Sequence, residues 1–227
     1  MTKRIKILAG VILLLVLGVV LLRVGKESEP PLLNNSVAAE PQLKTPDGSQ
    51  RELPQGSARE VVVYASELPK SALYEFEFWN DPASPGGKLV GTPNDGGEMD
   101  PPPENDPNVA FKVQAQQGVP YRCWIHMKVG APKGVSQANK LWVQFSGAVD
   151  KANNEVFKPG TGSYLTAQGP ARQGWAWVGC GESPIYFRTS PVTARLQAGM
   201  EGVGFDQFLL SPARFLENPP SESVVAK

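Results

Sequence analysis

Short runs rich in β-branched and aromatic residues, separated by clusters of Gly, Pro, Asn and Ser, recur from Val61 to Leu210, and no stretch between them sustains a helical period. Several alternate apolar and polar residues with period two, as half-buried strands do. The pattern predicts strands at Val61 to Ser66, Leu73 to Trp79, Val109 to Ala115, Tyr121 to Lys128, Leu141 to Ser146, Ile185 to Thr189, Val192 to Ala198 and Val203 to Leu210. Breakers lie at Pro82 to Gly87, Pro93 to Pro107, Gly118 to Pro120, Lys158 to Gly162 and Gly199 to Gly202. Gly (23) and Pro (22) supply about one residue in five of 227, a share that suits turns and argues against a helical bundle. The expected class is all-β, an antiparallel sandwich of jelly-roll type.

The aromatic residues bound that domain. All 5 Trp, 5 Tyr and 9 Phe lie between Tyr64 and Phe215, so the folded core is expected over 60–219, with a flexible polar tail at 220–227. Residues 26–59 contain no aromatic side chain and several Pro, Gly and Ser clusters. Such a stretch buries too little apolar area to offset its ordering entropy, and it reads as a disordered linker.

Ahead of the linker, Ile7 to Leu22 is uncharged and apolar, flanked by Lys3, Arg4 and Lys6 on one side and Arg23 and Lys26 on the other. With snorkelling of Lys6 and Arg23 this run is just long enough to cross a bilayer. Residues 1–25 are therefore expected to form a transmembrane signal anchor, N-terminus cytoplasmic, with the domain periplasmic or extracellular. Cleavage of the segment as a signal peptide, giving a secreted protein, is the alternative.

Basic and acidic residues balance at 22 each, which disfavours nucleic acid as a partner, since phosphate neutralisation draws on a basic excess. The two cysteines, Cys123 and Cys180, either form one disulfide in an oxidising compartment or remain separate buried thiols. Pairing would need the Cys123 strand to pass beside the Gly179-Cys180-Gly181 turn. His126, the sole histidine, is three residues from Cys123 on the same predicted strand, so the two point to opposite faces and do not form a Cys–His catalytic pair.

Two constellations carry candidate function. Trp175 and Trp177 are two residues apart and share a side if their segment is extended. With Tyr164 and the polar Arg172, Gln173, Gln168 and Glu182, they suit a carbohydrate, whose C–H faces stack on rings and whose hydroxyls take amide and charged partners. The competing account places both tryptophans in the core. Asp206 is a carboxylate within an otherwise apolar last strand and needs a partner: a backbone N–H, a basic residue, or a calcium ion that Glu67 and Glu60 would help ligate if first and last strands pair. The chain has no Gly-x-Ser-x-Gly elbow and no phosphate-binding Gly loop, and its acidic residues cluster in solvated loops, so it is not expected to be an enzyme.

Several motifs occur in a familiar order: Val62-Val63-Tyr64-Ala65-Ser66, Asp81 to Gly87, Pro93-Asn94-Asp95-Gly96-Gly97, Gly118 to Ile125, Trp142 to Gly147, Gly174-Trp175-Ala176-Trp177 and Asp206 to Pro212. Together they resemble the galactose-binding-like jelly rolls similar to family 6 and family 35 carbohydrate-binding modules of bacterial extracytoplasmic proteins. The resemblance implies a non-catalytic, sugar-binding domain. Where relatives carry paired glutamates for structural calcium, this chain has Ser66-Glu67. The expected function is a membrane-tethered carbohydrate-binding module, and the alternative is a structural or protein-interaction domain of the cell envelope.

Overall fold

The computed structural model describes residues 58–93, 97–104, 106–129, 139–170 and 174–227. The expected anchor, almost all of the expected linker, Arg172 and Gln173 lie outside them. Among the described residues no helix is long and apolar enough to cross a membrane. The protein is an all-β sandwich. Its strands are β1 (Val61–Tyr64), β2 (Leu73–Tyr74), β3 (Glu77–Asn80), β4 (Lys88–Gly91), β5 (Asn108–Val113), β6 (Arg122–Val129), β7 (Lys140–Phe145), β8 (Ala148–Val149), β9 (Leu165–Gln168), β10 (Gly174–Gly179), β11 (Tyr186–Phe187), β12 (Val192–Ala198) and β13 (Gly204–Ser211).

Two antiparallel sheets form the layers. One runs β10-β6-β13-β4-β3 with β1 added alongside β13, and the other runs β2-β5-β12-β7-β9. First and last strands thus pair, with Val61 opposite Leu210 and Tyr64 opposite Gln207. Alternation decides the core. Cys123, Ile125 and Met127 of β6 point inward with Phe205, Phe208 and Leu210 of β13, and they meet Phe111, Leu141, Val143, Phe145, Leu196 and Ala198 of the facing sheet. Phe208 bridges the layers, with ring centroids 5.3 Å from Phe111 and 6.2 Å from Phe145.

The segment expected as one strand from Leu73 to Trp79 is two. Glu75 has φ +58, which breaks the extended chain, so β2 pairs with β5 in one sheet and β3 with β4 in the other. Strands β4, β8, β9 and β10 were not predicted. Glycine bounds β10 at both ends, and β9 is only four residues long, so neither stands out as a β-rich run.

The tail, expected to be flexible, packs against the body. Val225 is 1% exposed and joins Val62, Trp124, Leu209 and Phe215 in a second apolar cluster on the outer side of the six-stranded sheet, with Tyr64 and Trp177 packed against it. Packing contacts therefore continue past residue 219. One apolar side chain inserted into a hole, and hydrogen bonds to the main chain on either side of it, order a segment whose composition reads as polar and frayed.

Candidate functional site

Strand β6 pairs with β10 in a register that sets Trp177 opposite His126 and Trp175 opposite Lys128. Val178 packs into the core with Ala176 beside it, so Trp175 and Trp177, which share the opposite face by their two-residue spacing, both face outward. His126 stands between them. Its ring stacks on Trp175 at 4.7 Å and 9° and meets Trp177 at 4.9 Å and 37°. Neither tryptophan is a core residue, and neither is free. The Trp177 indole N–H donates to the Glu222 carbonyl at 2.8 Å. Trp175 hydrogen-bonds Asp81, which also accepts from the Lys128 ammonium and the Ala83 N–H. Burial pushes the Asp81 carboxyl up, but Lys128, the Ala83 amide and Trp175 outweigh it and hold it below its ordinary range.

Asp206 answers its need for a partner with the histidine. A bulge between Phe205 and Gln207 inserts Asp206 as an extra residue in β13, and its Oδ1 lies 2.7 Å from His126 Nδ1. Asp206 is 1% and His126 6% exposed, and Asp206 Oδ2 has no hydrogen-bond partner among the described residues. Glu67, the other expected calcium ligand, is exposed and pairs with Lys227. Glu60 bonds Ser211 Oγ at 3.0 Å and the Arg214 N–H at 3.2 Å. The three carboxylates are thus held by separate partners. Among the described residues no group of three or more His, Cys, Asp or Glu side chains is placed to hold a metal, so the expected calcium set does not assemble.

Beside the tryptophans, at the seam where β10 approaches β9, lies an open groove of about 660 Å3. Trp177, Arg122, Trp124, Thr166, Gln168 and Glu182 are prominent in its walls. Gly179 makes room for this arrangement. A Cβ at that position would lie 3.1 Å from the Trp124 ring and 3.4 Å from Arg122 Nη2. The Arg122 guanidinium covers the Trp124 ring at 5.4 Å, and Trp124 is pinned by its indole N–H bond to the Phe215 carbonyl at 2.7 Å. An aromatic ring, a cation, a carboxylate, a carboxamide and a hydroxyl thus converge on one concave surface.

Tyr164 is not among the residues lining that groove. It packs against Trp142 at 5.8 Å on the outer surface of the five-stranded sheet, so the expected platform of Tyr164 with Trp175 and Trp177 does not form. Further along that surface, Gln144 donates to the carbonyls of Lys158, Thr161 and Ser163 at 2.8–3.0 Å and accepts from Arg195 at 3.2 Å, while Gln197 donates to the Asp100 carbonyl at 2.8 Å. These polar groups are committed to holding loops across the sheet. Burial, opposed by the charge of Asp106, draws the Arg195 guanidinium below its ordinary range.

Cys123 and Cys180 do come together. Cys180 directly follows β10, which runs beside β6, the Cys180 N–H bonds the Cys123 carbonyl at 2.9 Å, and the two thiol sulfurs are 3.0 Å apart in the core. Burial, reinforced by Cys180, raises the Cys123 thiol well above its ordinary value, so Cys123 is protonated at neutral pH rather than nucleophilic. Sequence reasoning missed Arg122, Trp124 and Thr166 as groove residues. The β6–β10 register would have shown Arg122 and Trp124, and the approach of β9 to β10 would have shown Thr166, but both depend on recognising Gly174–Gly179 as a strand.

No protein-family model matches the chain, and no curated protein matches its sequence. Among solved structures it is similar to the family 6 module of a laminarinase from Zobellia galactanivorans (9% identity, TM-score 0.43), covering 67% of this chain and 99% of that one. It is also similar to a family 35 carbohydrate-binding module from Clostridium thermocellum (17% identity, TM-score 0.34), covering 66% and 97%. A third similarity is to a β-(1,4)-mannanase with a family 35 module from Podospora anserina (11% identity, TM-score 0.44), of which it covers only 28%. Both module families named from the sequence motifs thus appear among the similar structures. At these scores the likeness is one of outline, and the site rests on the chain's own residues.

Proposed function

We propose that the chain is a non-catalytic carbohydrate-binding module of jelly-roll type whose sugar lies in the groove between β9 and β10. The observation that supports this is the convergence of the Trp177 ring with Arg122, Thr166, Gln168 and Glu182 around one open, shallow groove. A pyranose offers an apolar C–H face for the indole and equatorial hydroxyls for carboxamide, carboxylate and guanidinium, and a shallow polar groove has no deep apolar pocket for a hydrophobic ligand. Binding through one ring and a few hydrogen bonds gives dissociation constants in the micromolar to millimolar range. Relative to the sequence expectation, Trp177 keeps its role, Trp175 becomes a support for the His126 face, and Tyr164 drops out.

Tethering follows from the apolar run at residues 7–22, with the domain held outside the cytoplasm. A glycan array probed with the full-length chain and with Arg122→Ala tests the binding reading: glycans retained by the first and released by the second support it, and an array without signal above the variant removes it. A C-terminal reporter active only outside the cytoplasm tests the topology.

A further inference from the structure

Residues 221–227 lie across the outer face of the six-stranded sheet as a ligand lies in a receptor. The carboxamide of Gln207, fully buried on β13, donates to the Ser223 carbonyl at 2.8 Å and accepts from the Val225 N–H at 2.9 Å. Tyr64 of β1 donates its hydroxyl to the Val225 carbonyl at 3.0 Å, and Trp177 of β10 donates its indole N–H to the Glu222 carbonyl at 2.8 Å. Four bonds from three strands therefore hold main-chain atoms, irrespective of which side chains the segment carries.

Selectivity comes from three places. The Val225 side chain fills the hole formed by Val62, Trp124, Leu209 and Phe215. Glu222 reaches Arg214 at 2.7 Å, and Lys227 reaches Glu67 while its ammonium lies 4.9 Å from the Tyr64 ring centroid. Main-chain bonds for affinity and isolated pockets for choice are how receptors read extended peptides. The segment belongs to neither sheet, and residues 217–220, exposed except for Pro220, connect it to the body, so its departure breaks no strand ladder.

We propose that this face is a peptide receptor, that residues 221–227 are its resident occupant, and that it accepts from a partner protein an extended segment of matching chemistry. The match is an acidic residue, a valine-sized residue three positions later, and a basic residue two beyond that. The tethered segment competes at high effective concentration, so an incoming peptide is admitted only when it binds better or when the resident is loosened.

The probe is a fluorescent synthetic peptide of residues 219–227, titrated by anisotropy into the full-length chain carrying Val225→Asp, which puts a charge into the hole and releases the resident. Saturable binding to that variant, at least about tenfold weaker binding to the wild-type chain, and loss of binding when Gln207→Leu is added support the proposal. Should Val225→Asp fail to fold, Val225→Gly, which only empties the hole, replaces it. A folded variant that ignores the peptide, or binding indifferent to Gln207→Leu, overturns the proposal. So does a concentration-dependent dimer of the wild-type chain that Val225→Asp abolishes, since the occupant would then be a second copy.

Discussion

His126 Nδ1 lies 2.7 Å from Asp206 Oδ1, a pair joined across β6 and β13 at the bulge between Phe205 and Gln207. It supports the imidazole on which Trp175 stacks, and Trp177 leans on the same ring. The outer aromatic surface is therefore built on a buried polar pair.

Asp206→Ala strands the buried imidazole without an acceptor. The expected cost is about 1–3 kcal/mol, a fall in Tm of roughly 3–10 °C for a domain of this size. Asp206→Asn keeps an oxygen for Nδ1 and alters only the second oxygen, which has no hydrogen-bond partner among the described residues, so its Tm loss is expected to be the smaller. Thermal melts of both variants check the order.

Oxidation should join Cys123 and Cys180. The sulfurs already face one another, and the bridge would close a loop between residues 57 apart in sequence, worth about 4 kcal/mol by loop entropy. Mass spectrometry of air-oxidised protein should show the loss of two hydrogens, and melts with and without reductant should place the oxidised form higher. Two titratable thiols that persist in the oxidised, unfolded protein would contradict this.

Acid stability should depend on Lys128. The folded Asp81 carboxyl is held below its ordinary 3.8, so its contribution is complete above that value and is lost as pH falls through the lower folded value. Lys128→Met removes the cation and one hydrogen bond, raising the folded value. The acid-unfolding midpoint followed by tryptophan fluorescence is expected to move to higher pH, and an unchanged midpoint would show that the pair contributes nothing.

Much of the architecture was legible in the chain, because period-two alternation and β-branched runs report strands buried on one face. Strand β12 was expected at the bounds it has, and β6, β7 and β13 within a residue at each end. The pattern fails where another force decides. Glu75 turns the chain through a positive φ that no motif announced. β10 ends in glycine because Gly179 must admit Trp124 and Arg122, and it begins at Gly174, whose φ is +125. The tail is held to the body by one buried valine and a glutamine on β13, a relationship that composition cannot express. For the site, the shared side of Trp175 and Trp177 followed from their spacing, but not that this side faces outward. Which ring faces a groove depended on β6–β10 and β7–β9 register, and so the placement of Tyr164 against Trp142, away from the groove, was not legible.

Gly179→Val should separate groove from fold. A Cβ there already sits within contact of the Trp124 ring, and valine adds two methyls beside a ring fixed by its indole bond. The variant is expected to displace Arg122 and lose glycan binding while its circular dichroism remains that of a β-sandwich. Full retention of binding would place the ligand elsewhere.

The most direct test of the account is a calorimetric titration of a glycan retained on the array into wild-type chain, Trp177→Ala and Tyr164→Ala, each shown by its melt to be folded. The account predicts a loss of about tenfold or more for Trp177→Ala and no change for Tyr164→Ala. Equal affinity for wild type and Trp177→Ala, or loss confined to Tyr164→Ala, would contradict it.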